Sequence, residues 1–366
     1  MKEKHLLLFW PNAKRVNPAL ESNVSDLNII SRIEITDVQH NEMQNLLDCL
    51  YGEKLAGKSF KIKETGVGNI VIFVLEVASL YAITKVTSGV NNVNQEILNL
   101  KTLLRDKSGG GHKIHATEDS IEADDDSILF FNKHIDEVSV KDSCSISFNN
   151  WLQQSPGLTE RMVRFSDKLK FNVLRGVTEK EIFYKSDIDM ICADNMLISL
   201  RKRLRLVPSS PKNRCSRAYV TIDGKEDVDL RTVSDCYLPK DLSFKLIEQK
   251  FIYNRNSYSA AQKSAISYHC LIHKDSVHIK YLDILGFKPN TNSVDKTILV
   301  GLIKKNSNLA EVEECTDLTV GYFNSELLDG KRRSIKRRLY WTYIGFRRVF
   351  GRLFGRKKSG QYIEII

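Results

Sequence analysis

Apolar runs alternate along the chain with amphipathic stretches, and the two patterns predict strands and helices. Residues 69–75 read Asn-Ile-Val-Ile-Phe-Val-Leu, which is typical of a strand buried on both faces. Apolar residues recur at helical spacing over 41–50, where Met43, Leu46, Leu47 and Leu50 would share one face. The same reading predicts strands at 5–9 and 28–35 and a helix at 78–86.

The alternation continues beyond residue 145. Strands are predicted at 170–174 and 187–192, and a hairpin at 219–230 around the turn Asp223-Gly224. Helices are predicted at 196–206 and 260–285. At 366 residues the chain is long for one core. We therefore expect an α+β protein with two α/β-type domains, at 1–133 and 145–305, followed by a basic segment at 331–358.

The net charge of +10 is concentrated in that last segment. Residues 331–358 hold 12 Lys/Arg and no Asp/Glu, which leaves 43 basic and 45 acidic residues elsewhere. The body of the chain is not basic, so there is no strong case for nucleic-acid binding. Seven scattered cysteines without a Cys-x-x-Cys pair indicate free thiols in a reducing compartment. No signal peptide or membrane span is predicted, which favours the cytoplasm.

Aromatic and aliphatic residues interrupt the basic residues of 331–358. Trp341, Tyr343, Phe346 and Phe350 alternate with arginines, the composition of a helix lying on an anionic membrane surface. A nucleic-acid arm is the alternative interpretation. The apolar content favours lipid, and hence a protein peripheral on the inner face of the membrane.

Acidic residues on predicted strands are the first candidate site. Asp187 and Asp189 are spaced i, i+2, so they project from one face of a strand and could share a metal ion. Asp227 or Asp229 on a later strand could be a third ligand, and we favour Asp229 because it lies between two apolar residues. Gly176 precedes the pair at a turn whose backbone N–H groups could approach a phosphate. Oxygen ligands of this kind select Mg²⁺.

Gly176, the Asp187-x-Asp189 strand and Asp229 together resemble the nucleotidyltransferase superfamily that includes DNA polymerase β. The resemblance implies that the three aspartates are catalytic and hold Mg²⁺ against a nucleoside triphosphate, with Arg175, Gly176 and Lys185 binding the nucleotide. Val177 stands where the family usually has serine. A glycosyltransferase that uses Asp-x-Asp and a sugar nucleotide is the chief alternative, since its motif needs neither Gly176 nor Asp229.

The segment from Ile114 to Phe131, beginning Ile-His-Ala-Thr-Glu-Asp-Ser-Ile-Glu, resembles the histidine motif of nucleoside diphosphate kinases. The likeness extends over most of 4–133 and implies a ferredoxin-like domain. It places His115 at the phosphorylated histidine and Glu122 at the motif's glutamate. Further matches place Tyr51, Lys85 and Arg105 at nucleotide-binding positions. Trp10 replaces a lysine of that family, so a catalytically silent nucleotide-binding scaffold is an alternative to an active site.

Four basic residues follow the Asp187/Asp189 strand, at Arg201, Lys202, Arg203 and Arg205. A helix carrying them could hold phosphates or an anionic acceptor, or could simply be a solvated face. Taken together, these patterns lead us to expect a Mg²⁺-dependent nucleotidyltransferase at the membrane surface. Its acceptor would be unknown, with a lipid-linked saccharide of surface polysaccharide synthesis as one candidate.

Overall fold

The computed structural model describes residues 2–52, 59–86, 89–165, 169–175, 188–209, 218–249, 258–288, 290–309, 312–318, 320–328, 336–340, 342–343 and 362–366. The chain divides into two compact units, and both mix helices with sheet, as the pattern predicts. The first unit comprises Met1–Phe165, Ile198–Val207 and Thr221–Lys225. The second comprises Ser166–Leu197, Pro208–Val220 and Glu226–Ile366. Residues 198–207 therefore pack with the first unit although they follow the Asp189 strand in the chain.

The strands of the first unit are β1 Lys2–Phe9, β2 Ile29–Val38, β3 Gly68–Ala78, β4 Tyr81–Val86, β5 Gly89–Asn94, β6 Ile114–Ala116 and β7 Cys144–Ser147. Five of them form one sheet in the order β6–β1–β3–β2–β7. Neighbours are antiparallel except β2 and β7, which are parallel. The apolar runs of the two central strands, Leu6–Phe9 and Ile70–Leu75, are buried.

The helices of the first unit are α1 Pro11–Val16, α2 His40–Tyr51, α3 Ser59–Thr65, α4 Gln95–Lys107, α5 Ser120–Phe131, α6 Phe148–Gln153, α7 Leu158–Phe165 and α8 Leu197–Leu204, with 3₁₀ turns at Pro18–Val24, Ile135–Glu137 and Val140–Asp142. Asn94 caps α4, because its side-chain oxygen accepts from the N–H groups of Glu96 and Ile97. Asp119 caps α5 by accepting from Glu122 N–H. The four apolar residues expected on one face of α2 are all buried.

One predicted helix, at 78–86, is wrong. The chain there forms β4, which pairs antiparallel with β5. Tyr81, Ile83, Thr84 and Val86 are aromatic or β-branched residues, which fit a strand better than a helix. Ile83 is 79% exposed, so the apolar spacing that suggested a buried helical face does not reflect burial.

A layer of buried charge joins α5 to α8. Asp124, Asp125 and Asp126 of α5 are buried, and so are the four basic residues at 201–205. Arg203 donates from Nε to Asp125 Oδ1 over 2.6 Å and from Nη2 to Asp124 Oδ2 over 2.9 Å. Lys202 Nζ lies 2.7 Å from Asp126 Oδ1. The basic helix is therefore neither a solvated face nor a free phosphate-binding surface, which corrects both interpretations of the sequence.

The other two basic residues of this layer, Arg201 and Arg205, donate to backbone carbonyl groups, and Arg205 also contacts an aromatic ring. Arg201 donates to Asp48 O, and Arg205 donates from Nε to Leu129 O over 2.9 Å. The Arg205 guanidinium also lies 3.8 Å from the centre of the Trp151 ring. Buried guanidinium groups need such partners, since unpaired charge is costly away from water.

The second unit contains β8 Phe171–Arg175, β9 Ile188–Cys192, β11 Ala218–Thr221 and β12 Asp227–Thr232, with β10 Leu206–Pro208 where the chain passes between the units. The sheet order includes β11–β12–β9–β8. β9 and β12 are parallel, while β8–β9 and β11–β12 are antiparallel. The predicted hairpin at 219–230 is confirmed, and Gly224 in its turn has φ +72°.

The remaining elements of the second unit surround a largely apolar core. The helices are α9 Lys240–Ile247, α10 Ala260–Tyr268, which continues as a π-helix over His269–Lys274, α11 Leu282–Leu285 and α12 Lys296–Lys304, with 3₁₀ turns at Asp194–Met196, Val233–Asp235, Ile279–Tyr281 and Ser325–Leu327. A small sheet has the order β13–β15–β14, built from β13 Ser276–His278, β14 Ser293–Val294 and β15 Tyr362–Ile365.

The chain end is part of this core. β15 is the middle strand of its sheet, antiparallel to β13 and parallel to β14. Within the predicted basic segment, residues 336–340 and 342–343 are helical, and Arg337 is 1% exposed. Arg337 donates to Val320 O and Asp317 O over 3.1 and 3.0 Å. The segment is thus tied to the fold before and after residues 344–361, and residues 362–366 contribute a strand to the second unit.

Arg203→Met should destabilise the protein by about 3–5 kcal/mol, because it leaves two buried carboxylates without their cation. Urea unfolding measures this as a lower midpoint. Arg32→Met is the matched control, since Arg32 pairs with Glu21 and Glu34 at the surface and should cost less than about 1 kcal/mol. Equal losses in the two variants would contradict a special role for the buried pair.

Deleting residues 362–366 should destabilise the second unit by at least about 2 kcal/mol, since β13 and β14 lose their shared partner and the apolar contacts of Ile363 and Ile365. Thermal unfolding and limited proteolysis measure the loss. Tyr362→Ala removes only a half-exposed side chain and should have little effect. An unchanged melting temperature after the deletion would show that β15 is not needed.

Candidate functional sites

Two predicted site residues of the second unit lie side by side. Asp189 on β9 and Asp229 on β12 are direct register partners on parallel strands. Side chains of register partners point to the same face, and neighbouring strands are about 4.8 Å apart. Asp189 is buried and Asp229 is partly exposed. The two carboxylates therefore stand at one level of the sheet, where a single cation could reach both.

The register extends to a third strand. Arg175 on β8 is the partner of Asp189 on the side away from Asp229. Arg175, Asp189 and Asp229 thus lie in register on three neighbouring strands. The other predicted residues of this site, Gly176, Lys185 and Asp187, lie outside the described residues. The Asp187–Asp189 pair and the glycine turn accordingly stay predictions.

Arg231 pairs with Asp229 through two nitrogens. Its Nε lies 2.9 Å from Asp229 Oδ1, and its Nη2 donates to Asp229 Oδ2 over 2.9 Å. Its third nitrogen, Nη1, donates to the buried Asp317 Oδ2 over 3.0 Å. The guanidinium also lies over the ring of Tyr237, 4.6 Å from its centre. Sequence reasoning missed the roles of Arg231 and Asp317. The i, i+2 spacing of Asp229 and Arg231 on a strand could have indicated that these two side chains share a face.

The donor set of this row fits Mg²⁺ in chemistry, because both acidic residues offer oxygen. The Arg231 contact limits the fit. Both oxygens of Asp229 face the guanidinium, so a cation could bind only if Arg231 releases one of them. Asp227, two residues earlier on β12, is exposed and pairs in register with Val220 of β11.

His115, on β6 of the first unit, is the centre of the second candidate site. The residue is buried, and its Nε2 lies 2.9 Å from Asp126 Oδ2. Burial lowers the pKa of His115 to about 3, so the ring is neutral at ordinary pH. A neutral ring has one N–H, and the carboxylate facing Nε2 favours the tautomer with the proton there and the lone pair on Nδ1.

Three acidic or imidazole groups come together here. Ligand atoms of His115, Glu122 and Asp126 all lie within 4.8 Å of one another, so the group could hold a metal ion. A cation already stands among them, because Lys202 Nζ is 2.7 Å from Asp126 Oδ1 and 3.6 Å from Glu122 Oε1. Burial raises the pKa of Asp126, and the Lys202 ammonium opposes that rise. The resemblance gave no indication of Lys202.

A second set of basic residues surrounds the histidine. Lys61 lies over the ring of Tyr51, 4.3 Å from its centre, and Tyr51 contacts His115 edge-on at 5.4 Å between centroids. Burial, together with the charges of Arg105 and Lys101, lowers the pKa of Lys61 to about 8. Burial and Arg105 likewise lower the pKa of Lys101. These mutually repelling cations would be relieved by an anionic ligand.

The other residues that the kinase resemblance singled out differ in their placement. Arg105 is anchored beside the histidine, since its Nε and Nη2 donate to Ile114 O over 3.2 and 3.0 Å. Lys85 is exposed on β4 opposite Val90. Trp10 is fully buried, and burial raises the pKa of Tyr51. A buried neutral aromatic residue thus stands where the resemblance would place a lysine.

A glycine turn leads into β6. Gly109, Gly110 and Gly111 all have φ between +74° and +76°, a region that favours glycine. Glu64 Oε2 accepts the next backbone N–H, that of His112, over 3.0 Å. The turn therefore fixes the start of the strand that carries His115.

No protein-family model matches the chain, and no curated protein matches it. Both resemblances therefore rest on the residues quoted for them and on the geometry above.

Proposed function

We propose that the protein is a Mg²⁺-dependent nucleotidyltransferase whose acidic site lies in the second unit. The observation that carries this proposal is the register pairing of Asp189 with Asp229 on two parallel strands. A lone Asp-x-Asp would not need an acid on the neighbouring strand, whereas a site with three carboxylates does. Asp187, outside the described residues, would be the third.

The chain's own residues have distinct tasks in this proposal. Asp189 and Asp229, with Asp187, would hold Mg²⁺, which supplies charge neutralisation of the phosphates and activation of an acceptor hydroxyl. Arg231 neutralises Asp229. It would keep its hydrogen bond to Asp317 when a bound cation displaces it from Asp229. Arg175 and Lys185 would bind the triphosphate, whose tail would lie along the turn at Gly176.

Asp189→Asn and Asp229→Asn should abolish Mg²⁺-dependent binding of a nucleoside triphosphate. In the unaltered protein, a ligand at 100 times its dissociation constant adds about 2.7 kcal/mol to stability, so a thermal-shift titration detects it. Asp227→Asn is the matched control on the same strand and should keep the full shift. Retention of the shift in both Asn variants would overturn the site. A Mg²⁺-dependent shift with sugar nucleotides but not with triphosphates would favour a glycosyltransferase.

A second candidate function, phosphate or nucleotide binding by the first unit, is favoured by the cations around His115. The strand order β6–β1–β3–β2 with antiparallel neighbours supports the ferredoxin-like, nucleoside diphosphate kinase-like fold. Nδ1 of His115, as the acceptor nitrogen, would take a phosphoryl group from a nucleoside triphosphate and release the diphosphate. A silent scaffold is the alternative, because Trp10 removes a positive charge worth on the order of 10²-fold in rate.

Incubation with γ-labelled ATP should leave acid-labile label on the protein if His115 is active. His115→Ala should remove that label. His40→Ala, at an exposed histidine at the start of α2, should retain it. Unlabelled wild-type protein at saturating nucleotide would favour the silent scaffold.

Residues 331–358 would place the enzyme at an anionic membrane surface, on the cytoplasmic face, next to an acceptor such as a lipid-linked saccharide. Among the described residues no helix is long and apolar enough to span a bilayer. Leu339 and Tyr343 are exposed, as an interfacial segment requires, whereas Arg337 is buried and cannot contribute its charge.

Replacing Arg347, Arg348, Arg352 and Arg356 with Gln should weaken binding to anionic vesicles, since each basic residue near such a surface contributes about 1 kcal/mol. Co-sedimentation with vesicles measures the change, and the variant keeps both Arg337 and β15. The control replaces four exposed lysines elsewhere, Lys141, Lys288, Lys304 and Lys305. Equal loss in both variants would show that net charge, and not this segment, drives binding.

A further inference from the structure

The Lys202 side chain occupies the centre of the His115 group. It is 4% exposed, and its ammonium contacts two carboxylates, Asp126 at 2.7 Å and Glu122 at 3.6 Å. Asp126 in turn binds His115 through its other oxygen. The three groups that could hold a metal ion are therefore arranged around an ammonium that belongs to the chain itself.

An ammonium and a divalent ion cannot share this space, because two cations would repel one another in a buried site of low dielectric constant. Losing the charge of Lys202 would also be costly in free energy. Although burial alone would lower the pKa of Lys202, the charges of Asp126 and Glu122 raise it, so the side chain stays cationic. Without Lys202, one imidazole nitrogen and two carboxylates would remain, a donor set that suits divalent transition metals.

The cations on the other side of His115 do not depend on Lys202. Lys61 is buried and Lys101 is partly buried, and both have lowered pKa values because of burial and neighbouring cations. Arg105 is fixed to the backbone of β6. Lys202 offsets one of the two carboxylate charges, and Lys61, Lys101 and Arg105, of which Lys101 pairs with Glu118, supply positive charge on the other side of the neutral ring. Such an arrangement recognises a phosphate or pyrophosphate group.

We propose that Lys202 determines the ligand class of the His115 site, making it an anion site that excludes divalent metal ions. Its ammonium stands where the metal would bind, and its charge offsets that of the carboxylates, which would otherwise repel a phosphate. Transfer of a phosphoryl group to His115 is not required, because the assignment concerns binding alone. It rests on the anion binding proposed for the first unit and not on catalytic activity of either unit.

Lys202→Met tests the assignment, with Co²⁺ and inorganic pyrophosphate as the two probes. Methionine keeps an unbranched side chain that is one atom shorter and removes its charge. The variant should gain Co²⁺ binding at least about tenfold tighter than any shown by the wild type, visible in the absorption spectrum of the ion, and His115→Ala in the variant should abolish it. Pyrophosphate affinity should fall by about tenfold, measured calorimetrically.

Lys101→Met is the matched control, because Lys101 also contributes charge near His115 but lies 3.7 Å from Glu118 and outside the metal-competent group. It should weaken pyrophosphate binding without creating a Co²⁺ site. Lys202→Arg keeps the charge and should bind no Co²⁺.

Two outcomes would overturn the assignment. One is His115-dependent Co²⁺ binding by the wild type as tight as in Lys202→Met, and the other is a folded Lys202→Met protein that binds pyrophosphate normally and no Co²⁺. Circular dichroism establishes whether the variant is folded. If Lys202→Met does not fold, Lys202→Gln replaces it, since an amide can still donate to Asp126 without supplying charge. The same two outcomes then apply.

Discussion

Pairing of buried charge is the constraint on which the first unit depends. Helix α5 buries three consecutive aspartates, and each has a cationic partner on α8. Removing one partner of a buried pair typically costs about 3–5 kcal/mol, because the remaining charge cannot be solvated. Neither helical face could therefore be buried without the other. This explains why residues 198–207 pack with the first unit although the strand before them belongs to the second.

The same requirement shapes the candidate site of the second unit. Asp189 and Asp229 stand at one level of the sheet, and their charges would repel one another if both were unpaired. Arg231 neutralises Asp229 and reaches Asp317 with its remaining nitrogen. Arginine stays charged at any physiological pH, so loss of a proton from Arg231 does not open the site. A competing cation, or an anion that attracts Arg231, could do so.

Local patterns were sufficient to predict the strands and several helices. The apolar runs of β1 and β3, the face of α2 and the hairpin around Gly224 follow from burial and turn chemistry within a few residues. The placement of Asp229 beside Asp189 was also expected from two apolar-flanked acids on strands.

Long-range partners were not predictable in the same way. A run of basic residues usually lies in solvent, and only the match between Asp124–Asp126 and the basic residues at 201–205 hinted otherwise. Likewise, nothing local to Tyr362–Ile365 distinguishes a middle strand from a free end, because the strand is defined by partners at Ser276 and Ser293. The hairpin of β4 was missed for a different reason, since six residues are too few to separate helical from strand periodicity.

The two candidate sites differ in what happens when the basic residue moves away. Arg231 has a forked head, so it can release an oxygen of Asp229 while still bound to Asp317 and packed on Tyr237. Among the described residues, the ion-pair partners of Lys202 are Asp126 and Glu122 alone, and releasing them would leave an ammonium buried without a counter-charge. Freeing the carboxylates for a cation therefore costs less free energy at Asp229 than at Asp126 and Glu122. This difference is the physical reason to look for metal-dependent chemistry at Asp189 and Asp229 and for anion binding at His115.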